Sequence, residues 1–325
     1  MADITVKPAV NEQGMIPLRP SRFAFLRNPV WRRRTLVGYA FASPWVIGFF
    51  VIYLIPLVYS AYYSFTNMSL IKEPIWIGLQ NYERLFKSDP RFSISIYNTL
   101  YYILLSVPIN LIGALLIALI LNRKLPGMNG FRTIIYLPAI LSGVAMALVW
   151  KWMFNPQVGV INWLLGLVGI RGPNWLYSME WSKPAFIVMG FWGLGPAMVI
   201  FLAALKRVPE TLYEAAEIDG ANGIQKFFRI TIPMVSPAIL FNLITMVIGA
   251  FHIFTPAWVL TSSINAIGTP GDSTLFYVLY LFWKAFVRFE MGVASAMAWL
   301  LTLVVVLITI VQLALSSRWV YYETS

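Results

Sequence analysis

Long stretches of apolar residues, free of Asp, Glu, Lys and Arg, alternate along this chain with shorter polar connections. The long ones cover residues 35–71, 92–122, 133–150, 184–205, 230–271 and 291–317. A helix needs about 20 apolar residues to cross the hydrocarbon core of a bilayer. The pattern therefore predicts an all-α polytopic membrane protein whose six transmembrane helices lie near residues 36–65, 97–121, 132–153, 184–205, 237–260 and 291–315.

Two further apolar pieces do not have the form of a complete span. Residues 152–170 are interrupted by Asn155, Pro156 and Gly159, and residues 275–283 are too short. Non-helical backbone is tolerated at membrane depth only where protein or water covers its polar groups. Both pieces are therefore predicted to be interfacial or re-entrant segments on the outer side, within a transmembrane domain that covers residues 31–325.

Composition agrees with the hydrophobic pattern. The chain of 325 residues is 59% hydrophobic and 11% charged, whereas soluble domains carry about 25% charged residues. It has no cysteine and one histidine, so a disulfide, a thiolate metal site and a histidine zinc site are excluded. We expect no metal site and no catalytic residue.

The basic residues indicate the orientation in the membrane. With both termini in the cytoplasm, 15 of the 24 basic residues fall on the cytoplasmic side, as the positive-inside rule favours. The net charge of +11 is then explained without a nucleic-acid partner. Residues 1–30 are predicted to be a cytoplasmic tail, and the protein is expected in the inner membrane, surrounded by lipid.

The connection between the fourth and fifth spans, residues 206–233, is predicted to form a helix, a turn and a second short helix. Pro209 suits the start of a helix. Gly220 suits its end, because glycine adopts the left-handed cap conformation without steric penalty. Asn222 begins the second helix, and Pro233 marks the entry to the next span.

This connection carries a recognisable motif. Glu214-Ala215-Ala216, then Gly220, Ile230, Ile232 and Pro233, resembles the E-A-A-x3-G-x9-I-x-L-P signature of ABC-importer permeases, with Ile232 in place of the usual Leu. Asp219 belongs to an extension that is typical of the carbohydrate-uptake branch. The resemblance continues through residues 78–82, 98–100, 131–138, 173–175 and 291–296.

The resemblance implies a type I ABC importer permease that forms half of a sugar pathway. Its implied partners are a second, different but homologous permease, two ABC ATPase subunits, and an extracytoplasmic sugar-binding protein that meets the segments around 66–96, 154–183 and 261–289. The residues implied in coupling to the ATPase are Glu214, Ala215, Ala216, Asp219, Gly220, Ile230 and Pro233.

Nucleotide chemistry is expected elsewhere than on this chain. The sequence contains no G-x-x-x-x-G-K-[ST] motif and no Gly-Lys pair, so it lacks a P-loop. We therefore expect no cofactor on this chain, and ATP and Mg on the partner ATPase subunits. The chain itself is then a transport subunit and not an enzyme.

A sugar pathway needs hydrogen-bonding and aromatic side chains within the spans. The candidates are Ser142, Asn155, Trp192, Asn242, His252, Thr255 and Trp258. Because His252 lies well inside an apolar run, it can serve either an interhelical hydrogen bond or a substrate contact.

Two other classes of function remain open from the residues alone. A secondary transporter or channel that is not driven by ATP usually shows buried carboxylates, and an intramembrane enzyme needs a nucleophile with a base or paired carboxylates. The spans offer only His252 for either role. The sugar also stays open among a disaccharide, an oligosaccharide, an acidic uronate chain and glycerol phosphate.

Overall fold

The computed structural model describes residues 29–69, 73–123, 125–263 and 266–321. The predicted tail therefore lies outside the described residues except for its last two positions. Throughout the described ranges the secondary structure is helical, and the extended pairing is an isolated bridge between Thr66 and Trp76. The all-α prediction is confirmed.

The chain divides into two compact units, Met1–Ser60 and Ala61–Ser325. The described part of the first unit contains α1, Pro29–Gly48, and a π-helical segment, Phe49–Leu54. This wide turn lies directly before Pro56, which has no N–H to donate and so disturbs the preceding helical ladder. The apolar side chains here are exposed, as in Phe41 at 81%, which suits a lipid environment.

Helices α2 to α15 follow along the chain. Their bounds are α2 Ile55–Tyr63, α3 Gln80–Ser88, α4 Pro90–Leu121, α5 Met128–Tyr136, α6 Gly143–Met153, α7 Val160–Leu167, α8 Ser182–Gly190, α9 Gly195–Leu205, α10 Glu210–Ile218, α11 Gly223–Lys226, α12 Ile232–Phe251, α13 Thr255–Thr261, α14 Tyr277–Phe282 and α15 Met291–Ser316.

Length and composition allow up to six spans in this arrangement. Within the described residues, four continuous helices are long and apolar enough, namely Thr35–Tyr63, Pro90–Leu121, Gly223–Phe251 and Met291–Ser316. Two bent pairs supply the others: Met128–Ile140 with Gly143–Met153 bends by 103°, and Ser182–Gly193 with Gly195–Leu205 bends by 48°. The number agrees with the six hydrophobic stretches.

The span predicted at 184–205 bends by 48° at a break after Gly193, and two other predicted spans are broken at turns that contain proline. The helix predicted at 237–260 ends at Phe251 and resumes as α13, because Pro256 has no N–H for the carbonyl one turn earlier and is accommodated in a new first turn. The segment predicted at 132–153 turns sharply after a 3-10 turn, Leu137–Ile140, that contains Pro138. Apolar composition alone conceals both breaks.

The core of the second unit has two clusters, and α4 passes through both. One contains Phe92 and Ile103 with residues of α14; the other contains Ala118 and Leu121 with α9. With 32 residues, α4 is about 48 Å long. Its first and last residues therefore lie at opposite ends of the membrane-spanning region.

Candidate functional site

The turn of the 206–233 connection has the geometry that its glycine predicts. Gly220 has φ +75°, and the Ala221 N–H donates to the Ala216 carbonyl at 2.8 Å. The Gly220 N–H donates to the Glu217 carbonyl at 3.0 Å. These two bonds form a Schellman motif, which satisfies the last carbonyls of α10.

The second helix starts with a reciprocal cap. The Asn222 side chain accepts from the Gln225 N–H at 2.9 Å, and the Gln225 side chain accepts from the Asn222 N–H at 2.8 Å. Such a capping box satisfies donors at both ends of the first turn. The helix then widens into a π-helical segment, Phe227–Thr231, and continues into α12 with Pro233 in its first turn.

The connection is anchored to the spans on either side. The Tyr213 hydroxyl and the buried Thr231 hydroxyl are 2.9 Å apart, while Leu205 and Val208 are buried in the second core cluster. Lys226 and Glu217 form an ion pair at 3.0 Å. These contacts join α10 to the residues that lead into α12, and the buried Leu205 and Val208 fix the chain where it leaves α9.

The outer face of the connection is exposed and partly apolar. Glu214, Ala215, Asp219 and Gly220 are exposed, while Ala216, Ile230 and Pro233 are half-buried. Among the described residues, none pairs with the Glu214 carboxylate, which leaves its charge available to a partner.

Three large apolar side chains of this connection are exposed, and the motif does not include them. Ile218 is 88% exposed, Ile224 72% and Phe228 63%. Ile224 and Phe228 were missed because they fall outside the positions that the motif matches. Exposed apolar groups clustered around a charged residue are typical of protein–protein contacts.

A cavity of about 450 Å³ lies further along the spans, between α4, α8, α12 and α13. His252 and Thr255 line it, as do Tyr102, Ser106 and Asn110 of α4. The Nδ1 atom of His252 is 2.8 Å from the Ile248 carbonyl. Because a carbonyl only accepts, Nδ1 carries a hydrogen in this contact.

The cavity wall combines glycines with an unsatisfied amide. Gly143, Gly190, Gly193 and Gly249 line it, so much of the wall is backbone. The Asn110 Oδ1 atom is buried without a hydrogen-bond partner. A Cβ on Gly190 would lie 2.7 Å from the Asn110 Nδ2 atom, so this glycine leaves room for that amide. An orphaned buried acceptor is a candidate ligand contact.

Five of the predicted pathway residues do not line this cavity. Ser142 caps α6 through the Ala145 N–H at 3.3 Å, and Asn155 accepts from the Gln157 N–H at 2.9 Å. Trp192 packs against Trp150, Trp258 packs against Phe254 and Phe282, and Asn242 is buried with its Nδ2 atom unpaired. Their contact with substrate stays a prediction.

Tyr102, Ser106 and Asn110 were missed from the sequence although a signal was present. They are spaced four residues apart, and therefore lie on one face of a helical segment, 102–121, that is otherwise apolar. Polar side chains on one stripe of a span face the bundle interior. The regular spacing of the three polar residues, rather than any one of them, is the sequence signal for a helix face that points into the bundle.

A buried ion cluster lies at the opposite end of α4 from the 206–233 connection. The Lys284 Nζ atom is 3.1 Å from carboxylate oxygens of both Asp89 and Glu290, and its side chain is 8% exposed. Burial raises the pKa of Asp89, but hydrogen bonds from Tyr280 and Lys284 outweigh that effect, so the pKa lies below its ordinary value. The cluster joins the starts of α4 and α15.

The arrangement defines a class: a helical membrane protein with a cavity lined by polar and apolar residues of several helices and with an exposed loop anchored by Tyr213 and Thr231. Residues 89–321 match the model of the binding-protein-dependent transport system inner membrane component family. The chain belongs to this family. The matched residues include the loop, most of the cavity and the ion cluster.

Individual relatives agree with this assignment. The chain is 44% identical over 295 residues to the probable ABC transporter permease protein YesP of Bacillus subtilis (strain 168), covering 90% of this chain and 94% of the relative. It is 34% identical to the arabinooligosaccharides transport system permease protein AraP of Halalkalibacterium halodurans, covering 86% and 88%.

A solved structure shares the fold. A chain of a bacterial ABC transporter involved in the import of the acidic polysaccharide alginate superposes with a TM-score of 0.77 at 25% identity, covering 90% of this chain and 99% of that one. The prediction of a type I importer permease fold is confirmed.

Proposed function

We propose that this chain is the permease subunit of an ATP-driven importer that takes up a carbohydrate delivered by an extracytoplasmic binding protein. The observation that carries the proposal is the 206–233 loop, which presents Glu214 and Ile218 on a base anchored to two spans. The names of the relatives support the carbohydrate substrate, since one of them transports arabinooligosaccharides.

The cavity forms this chain's half of the translocation pathway. Sugar hydroxyls both donate and accept, and the orphaned Asn110 oxygen, the Ser106 hydroxyl and the imidazole of His252 offer matching groups. The glycine-lined wall lets a sugar ring pass close to the backbone. A second, homologous permease supplies the other half.

The partners occupy opposite ends of the spans. Two ATPase subunits, which bind ATP and Mg, contact the loop on the cytoplasmic side, with Glu214 pairing with a basic residue of the ATPase. The binding protein meets the other end, near the Asp89–Lys284–Glu290 cluster. ATP drives transport because the ATPase binds it with different affinity in the inward-facing and outward-facing arrangements.

The test is ATP-dependent uptake of radiolabelled arabinooligosaccharides, alongside disaccharides and uronate oligosaccharides, into vesicles containing the complex. We expect Glu214→Lys to abolish uptake and to release the ATPase. The control Glu180→Lys changes an exposed carboxylate outside the loop and should leave ATPase association intact. Normal uptake and normal ATPase association in Glu214→Lys would contradict the proposal.

A further inference from the structure

A second cavity, of about 880 Å³, opens where α4 and α9 end and the 206–233 loop begins. It shares no lining residue with the translocation cavity among the described residues. Its polar lining includes Asn122, Arg123, Asn129, Arg132, Lys206 and Tyr213.

Basic side chains dominate the charge of this cavity. Arg123, Arg132 and Lys206 line it, against one acidic residue, Glu210. Arg132 is held in place by two bonds, from Nη1 to the Asn129 Oδ1 atom and from Nη2 to the Leu121 carbonyl, both at 2.7 Å. Its Nε atom is buried without a partner. The guanidinium is thus oriented, and its donors are not all satisfied.

The cavity lies at the level of the membrane surface. Leu119 and Leu205, in the last turns of two spans, form part of its wall, and residues from 122–132 and from the 206–233 loop form the remainder. A molecule that fills it therefore meets an apolar wall on the membrane side and basic groups on the aqueous side. This combination matches the junction between the acyl chains and the headgroup of a phospholipid.

We propose that this cavity binds the headgroup of an anionic phospholipid. The lipid phosphate accepts hydrogen bonds from Arg123 and Lys206 and from the fixed guanidinium of Arg132, and the acyl chains run along the half-buried Leu119. Because Tyr213 and Thr231 of the anchored loop also line the cavity, a bound lipid braces the base of the coupling loop.

The experiment measures lipid binding by native mass spectrometry on the full chain, purified with its accompanying subunits. The probes are phosphatidylglycerol and phosphatidylcholine with identical acyl chains. The test variant is Arg123→Gln with Lys206→Gln, which spares the structural Arg132. The control is Arg207→Gln with Arg229→Gln, which removes two exposed basic residues that do not line the cavity.

We expect phosphatidylglycerol to bind more tightly than phosphatidylcholine to the unaltered chain. Its affinity should fall by about thirtyfold in the test variant, since two basic groups are lost, and stay unchanged in the control. Thermal unfolding of both variants, together with the single change Lys206→Gln, separates lost binding from lost folding.

Three outcomes would overturn the proposal. The first is equal binding of phosphatidylglycerol by the two double variants. The second is competition by inorganic phosphate alone at the affinity of the lipid, which would make the site one for a free phosphate. Alternatively, the test variant would keep its lipid and lose a protein subunit, which would make the basic cavity a subunit contact.

Discussion

Removal of the Lys284 ammonium should destabilise the chain severely, because it pairs with two carboxylates, and among the described residues only Glu290 has a second basic partner, Arg84. Lys284 lies 3.1 Å from both Asp89 and Glu290, and their side chains are 12% and 23% exposed. Loss of one partner of a buried ion pair costs about 3–5 kcal/mol, because the remaining charge is left buried and unpaired. We expect a loss of this size for Lys284→Met, which keeps most of the side-chain volume.

The assay is unfolding in mixed micelles at increasing SDS fraction, followed by tryptophan fluorescence. Trp283 stacks on Tyr280 at 5.9 Å within the cluster and so reports on it. The matched control is Lys87→Met, since Lys87 pairs with Glu83 on an exposed helix surface, where ion pairs contribute little.

A rescue separates charge from packing. In Lys284→Met with Asp89→Asn and Glu290→Gln, no buried charge is left unpaired, since Arg84, the other partner of Glu290, has a side chain that is 54% exposed. Most of the lost stability should therefore return. Equal stabilities of Lys284→Met and Lys87→Met would refute the claim that this cluster holds the starts of α4 and α15 together. A triple variant no better than Lys284→Met would assign the loss to packing.

Three further outcomes are expected. Gly220→Val should weaken ATPase association and destabilise the turn by about 1–2 kcal/mol, because a backbone φ of +75° disfavours a side chain. Co-purification measures the association and unfolding measures the stability. The control is Gly223→Val, since Gly223 is not among the glycines with a positive φ. Asn110→Leu should raise the KM for sugar uptake severalfold while ATPase association stays normal. The control is Thr302→Leu, which changes an exposed polar residue of α15 that lines neither cavity. Since the pKa of Asp89 is lowered on folding, its contribution to stability is present above its unfolded pKa and lost as the pH falls through its folded pKa; unfolding followed from pH 7 to pH 3 should show this loss in the unaltered chain and less of it in Asp89→Asn.

The turn of the 206–233 loop could be predicted because its interactions are local. The left-handed Gly220 and the Asn222 cap follow from residues within one turn of each other. The hydrogen bond between Tyr213 and Thr231, which anchors the loop, could not be predicted, because the two residues are 18 positions apart in the sequence. A sequence pattern carries no distance between residues that are separated by a turn and a second helix.

The ends of the spans could be predicted where apolar residues give way to polar ones. They could not be predicted where a proline breaks a helix inside an apolar run. Asp89 and Pro90 start α4 as a cap and a first helical residue, earlier than the hydrophobic stretch suggests. The break at His252 depends on Pro256 within continuous apolar sequence. That break helps to place His252 in the cavity wall.

The Asp89–Lys284–Glu290 ion cluster could not be predicted from the sequence, because its residues come together only in the folded chain. Asp89 and Lys284 are far apart along the chain, and each looks like an ordinary charged residue at a helix end. Burial, which makes their pairing energetically important, exists only after α4 and α14 pack together.

The most direct test of the central claim uses the absence of cysteine from this chain. In Ile218→Cys the exposed tip of the loop carries the protein's single thiol. We predict labelling by a membrane-impermeant maleimide only after the cytoplasmic side is opened, and cross-linking to an ATP-hydrolysing subunit. Labelling of intact cells from outside, or a complex in which no ATP-hydrolysing subunit cross-links to this position, would contradict the account.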